Sequence, residues 1–150
     1  MNTKFEVIDY SGQTISLYPR LELYTVHDFM GQELPGIAIA LDFTDPETGK
    51  LEQYAILTKS FGEFIGLKNS AYIDTNNCYF AQQLLEQGMA KDTGFYKESG
   101  YCTYPLWQFE GAFLQEIGRE HYETYAQQYD EYMQAAFAPE EMEDSSMELQ

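Results

Sequence analysis

Two cysteines, two histidines and a surplus of carboxylates are the side chains with which this chain can do chemistry. Cys78, Cys102, His27 and His121 would make a zinc site only if their spacing pre-arranged them, and no C-x-x-C or H-x-x-x-H pair occurs. A cysteine, a histidine and an acid are also the components of a hydrolytic triad. There is no G-x-S-x-G elbow, however, and neither thiol has a neighbour in sequence that would activate it. Asp42, Asp45 and Glu47 stand close together but lack the alternating ligands, sixth-position Gly and twelfth-position Glu of a calcium loop, so they read as part of a hairpin turn. The phosphate-binding patterns G-x-x-x-x-G-K-[ST] and G-x-G-x-x-G are missing. The sequence thus predicts no catalytic residues, no metal and no cofactor, and a protein that acts by binding.

What it would bind is set by charge. The 150 residues carry 25 Asp and Glu against 8 Lys and Arg, a net charge of -17. Such a surface repels nucleic acid, anionic lipid and acidic substrates, and attracts basic surfaces at rates that fall with salt. Nine acids follow Arg119, and His121 is the only basic type among them. On a wheel of about 100° per residue, Tyr122, Tyr125, Tyr129 and Tyr132 form one ridge. Glu116, Glu120, Glu123, Asp130 and Glu131 lie opposite. At about 1.5 Å rise per residue, Glu116, Glu120 and Glu123 would repeat every ~5–6 Å along one helix, a spacing comparable to a phosphate ladder. This face, with Glu140, Glu141, Glu143, Asp144 and Glu148, is the expected binding surface, and its expected partner is the Lys/Arg-rich groove of a nucleic-acid-binding protein. The simpler account is a solvated acidic face opposite a Tyr ridge that packs on the core. A third expectation is an accessory scaffold that forms a homodimer through that ridge.

The elements that must carry this surface read as α+β: an antiparallel sheet packed by one medium and one long C-terminal helix. Alternation predicts strands near residues 4–10, 14–18 and 21–26, with a turn at Ser11-Gly12, a stop or bulge at Pro19 and a loop over residues 31–36. Residues 37–43 and 51–58 form the clearest hairpin, because Asp45-Pro46-Glu47-Thr48-Gly49 places Pro and Gly where a type I turn with a left-handed residue needs them. Both strands are nearly continuous apolar runs, so they are expected to be central and covered on both faces. Asp74 or Thr75 caps a helix over residues 76–87 that buries Phe80, Ala81, Leu84 and Leu85 and ends at Gly88. Residues 100–107 read as an edge strand because of Pro105. A single long helix spans about residues 110–137 and stops at Pro139. The domain is therefore placed at residues 1–137 and an acidic flexible tail at 138–150. No apolar run approaches the ~20 residues of a membrane span, and two cysteines make no disulfide framework, so the expected location is the cytoplasm with both thiols reduced.

Three segments carry a resemblance: A-Y-I-D-T-N-N at residues 71–77, Q-Q-L-L-E-Q-G-M-A-K at 82–91 with Thr93-Gly94, and S-G-Y-C-T-Y-P-L at 99–106. Over roughly residues 3–109 the chain resembles an uncharacterised domain family carried on plasmids and conjugative elements of gut Firmicutes. Small acidic proteins of mobile elements include anti-CRISPR inhibitors that occlude DNA- or guide-binding grooves. The resemblance accordingly implies an inhibitor whose partner is the basic groove of a CRISPR effector nuclease.

Overall fold

The computed structural model of the chain describes residues 3–147, with side chains as far as residue 136. Two four-stranded antiparallel sheets share one core. The first has the order β1 (Phe5–Ile8), β2 (Thr14–His27), β3 (Glu33–Thr44), β4 (Leu51–Ile56). The second is made by β5 (Thr58–Lys59), β6 (Ser70–Ile73), β8 (Cys102–Phe109) and β7 (Ala90–Ser99), in that spatial order. Helix α1 (Ala81–Glu86) lies between β6 and β7 in sequence, and α2 (Gly111–Gly118) and α3 (Glu120–Met147) follow β8. Val7, Leu17, Leu21, Ile39 and Leu41 of the first sheet meet Ile73, Trp107 and Phe109 of the second, with Leu84, Leu114, Tyr125 and Tyr129 from the helices. The architecture is α+β, as expected, but with two sheets where one is predicted.

The β3–β4 hairpin forms where its turn chemistry places it. The amide of Gly49 donates to the Asp45 carbonyl at 2.7 Å, the amide of Asp45 to the Lys50 carbonyl at 2.8 Å, and Gly49 has the left-handed φ of 74°. Only β3 is covered on both faces, over Ile39 to Asp42; β4 is an exposed edge strand. An apolar run has the same composition whether the second face is covered or not.

Pro19 and Pro105 both lie inside strands. β2 passes through Pro19, which faces Leu41, because β1 pairs only residues 14–17 and leaves the other edge of β2 open from there on. Pro105, predicted at an edge, belongs to the central strand β8. It stands opposite a register shift in β7 between Asp92 and Tyr96, and the β6 ladder reaches only Leu106. A residue without an N–H fits a central strand where a bulge and a ladder end coincide.

Three helix expectations also change. Asp74 to Asn77 form a turn, with the Asp74 carbonyl accepting from the Cys78 amide at 2.9 Å, so α1 is only six residues long. Gly88, at φ 86°, ends it as expected. The single long helix is broken between α2 and α3 at Arg119, whose φ of 49° and ψ of -113° no helix accommodates. α3 continues past Pro139, since a proline removes one backbone bond and bends a helix without having to end it. Gly36, predicted in a loop, lies in β3 opposite Tyr24; a Cβ there would come within 2.9 Å of the Tyr24 ring.

Candidate interaction surface

The surface is built on the way α3 is fastened. Asn69, just before β6, adopts a left-handed φ of 67°, a conformation that Asn tolerates better than most residues. Its amide donates to the Tyr125 hydroxyl at 2.9 Å, its side-chain oxygen accepts from the Tyr122 hydroxyl at 3.0 Å, and its carbonyl accepts from the Phe109 amide at 2.8 Å. Tyr125 and Tyr129 are only 4% and 7% exposed, and Phe64 stacks on Tyr129 at 5.5 Å between ring centroids. The Tyr ridge thus packs on the protein's own core. Tyr122 and Tyr132, at the two ends of the ridge, are half-buried.

Turning the Tyr ridge inward turns the acids outward: Glu116, Glu120, Glu123, Asp130 and Glu131 are all exposed. They do not form one ladder. The break at Arg119 takes Glu116 out of phase with Glu120 and Glu123, and its carboxylate instead accepts from the Thr3 hydroxyl, beside a cleft that also includes Arg20, Asp42 and Arg119. Asp130 is neutralised by Lys68 at 2.9 Å. Glu120 and Glu123 occupy the first turn of α3, where the helix dipole favours negative charge. Glu123 accepts from the Gln115 side chain at 3.1 Å, and Glu131 from Gln127 at 3.0 Å. Among the described residues no Lys, Arg or His forms an ion pair with Glu120, Glu123 or Glu131. These three are the uncompensated part of the predicted surface. Glu140, Glu141, Glu143, Asp144 and Glu148 lie outside the residues whose side chains are described.

Next to this face stands the β2–β3 hairpin tip. Asp28 organises it, its Oδ1 accepting the amides of Met30 at 2.9 Å and Gln32 at 2.8 Å while its Oδ2 takes the Tyr132 hydroxyl of α3 at 2.6 Å. The Tyr132 bond, more than the backbone amides, holds the Asp28 carboxyl below its ordinary range. Phe29 and Met30 project from the tip, 92% and 77% exposed. Between tip and helix runs a cleft of about 800 Å³. The sequence reading passes over this pair; two large apolar residues inside an Asp-to-Gly turn were its one available signal.

The thiols are arranged for packing. Cys78 is buried against the Ile56 carbonyl at 3.4 Å, and burial, helped by the Asp74 charge, pushes its thiol up to about 12. Little of it is thiolate near neutral pH, and thiolate is the reactive form. Cys102 is half-buried, and both cysteines are free. A disulfide-exchange reagent is expected to label Cys102 in the native protein and Cys78 only after denaturant is added. Prompt native labelling of Cys78 in a Cys102→Ser variant would contradict this. The Asp42 carboxylate, nearly buried, binds the Arg20 guanidinium at 3.0 Å and keeps it charged. Among the described residues no group of three or more His, Cys, Asp or Glu has a metal-holding arrangement. No helix among them is long and apolar enough to cross a membrane.

The family described as a domain of unknown function, DUF4313, matches residues 25–129. The chain belongs to that family. No curated protein and no solved structure matches the chain. The DUF4313 region begins within β2 and ends at Tyr129, so it takes in α2 and the first turns of α3. The resemblance read from sequence ends near residue 109 and leaves those helices outside. Tyr122, Tyr125, Tyr129, Glu120 and Glu123 are therefore part of the family domain and not an appendage to it.

Proposed function

We propose that this protein is a non-enzymatic acidic inhibitor, of the kind carried by mobile elements, that occupies the basic DNA- or RNA-binding groove of a nucleic-acid-handling protein, with a CRISPR effector nuclease as the partner. The observation that carries the reading is the α3 face: Glu120, Glu123 and Glu131 are exposed and lack a cationic partner among the described residues, on a helix whose other side is fastened by Tyr125 and Tyr129. A fixed array of carboxylates presents charge without the entropy cost of ordering it at the moment of binding. The net charge of -17 supports the reading by steering a basic partner towards the molecule.

The test is binding to a purified Cas nuclease along a salt gradient, with DNA or guide RNA as competitor. Binding is expected to weaken steadily with salt and to be displaced by the nucleic acid. Replacing Glu120, Glu123 and Glu131 together by Lys is expected to weaken it by on the order of 100-fold or more, because like charges facing each other across an interface cost several kcal/mol. The far-UV spectrum should not change. A triple variant that binds as tightly as the parent would remove this face from the reading.

A further inference from the structure

We infer that the cleft between the β2–β3 tip and α3 seats a large apolar side chain from a Lys/Arg-rich segment of the partner protein. This rests on the acidic-face reading above and names what the partner must carry. Buried Leu34, half-buried Tyr132 and the exposed Phe29 and Met30 give one part of the cleft an apolar lining, polar side chains line about as much of it, and Glu33 and Glu131 add carboxylates. Among the described residues no Lys or Arg lines it. Exposed apolar side chains beside uncompensated acids fit a segment that is itself apolar and basic, since each component answers one of the occupant.

Charge also argues against the occupants nearer at hand. Residues 137–150 of this chain contain five acids and no Lys or Arg. A second copy would bring its own charge of -17, which like charge on this face repels. The tip is held for docking: Asp28 ties the turn to Tyr132, so Phe29 and Met30 project from a braced loop whose ordering entropy is already lost.

Two fluorescein-labelled peptides of about 16 residues, with the same Lys/Arg positions, test this against the full chain by anisotropy. One carries Leu and Phe at helical spacing and the other carries Ser at those positions. The apolar peptide is expected to bind about 10- to 100-fold more tightly, the range that burial of one large apolar side chain corresponds to. In a Phe29→Ser, Met30→Ser variant that preference should vanish while binding of the Ser peptide persists. Equal affinity for the two peptides, a preference that survives in the variant, or no binding of either peptide would overturn the cleft assignment. A Glu120→Lys, Glu123→Lys variant separates this from the broader reading: if it binds the Ser peptide as tightly as the parent does, the acidic face is the part that fails.

Discussion

Replacing Tyr125 by Ala is expected to destabilise the protein by about 3–5 kcal/mol, the range for removing a buried aromatic side chain. The ring is 4% exposed and lies between Tyr122 and Tyr129, with centroids 6.1 and 5.8 Å away. Its hydroxyl also accepts the Asn69 amide at 2.9 Å. Deletion opens a cavity under α3 and leaves that amide without its partner, so two costs coincide. Tyr125→Phe separates them: it keeps the ring, removes the acceptor and is expected to cost about 1 kcal/mol, since the amide it leaves unpaired belongs to the half-buried Asn69. Urea midpoints at unchanged slope give both values. Because Tyr125 holds the acidic helix in place, Tyr125→Ala should also weaken partner binding although it removes no charge. A stability within about 0.5 kcal/mol of the parent, well below the expected range, would mean that α3 is not fastened through this residue.

The second large effect is expected at the α2–α3 junction. A Cβ at Gly118 would lie 2.9 Å from the Cβ of Leu21 and 2.3 Å from its Cδ2, and Leu21 is 1% exposed in the core. Gly118→Val forces side chains into a space already filled, at about 1–3 kcal/mol for overpacking and more where the backbone yields. The adjacent Arg119 can absorb little of the shift, because its φ of 49° is already outside the common regions for a residue with a Cβ. Thermal unfolding reads the loss directly. Leu21→Ala alone is expected to cost about 2–5 kcal/mol. Combined with Gly118→Ala the two costs should fall short of their sum, because each variant relieves the strain or fills the void left by the other. Strict additivity would show that the two residues do not meet.

The helix break illustrates how a correct local reading gives a wrong assembly. The helical pattern from Glu110 onwards is real, and the wheel places the tyrosines of α3 on one side as observed. The wheel cannot register that Gly118 lies against Leu21, a residue 97 positions earlier (118 minus 21), or that Arg119 turns the chain there. One left-handed residue was enough to move Glu116 to a different part of the surface from Glu120 and Glu123. The prolines make the same point for strands. Pro19 and Pro105 lack a donor wherever they stand, but whether that matters depends on which strand comes alongside, and β7, which bulges opposite Pro105, was not predicted at all.

By itself the sequence determined what is local or summed: the turns at Gly12 and Gly49, the helix stop at Gly88, the apolar stripe of Phe80, Ala81 and Leu84, the α+β class and the net charge of -17. Turn chemistry acts within four or five residues and charge is additive, so neither needs a partner to be known. The tertiary structure decided everything that depends on distant residues meeting. It divided the strands into two sheets, took Tyr125 and Tyr129 into the core through Asn69, neutralised Asp130 with Lys68 and left Glu120, Glu123 and Glu131 uncompensated among the described residues. It also set the exposed Phe29 and Met30 beside α3, in a turn braced by Asp28 and Tyr132, which are 104 positions apart. Pairing and burial are selected by the whole core at once, and no window of sequence contains that information.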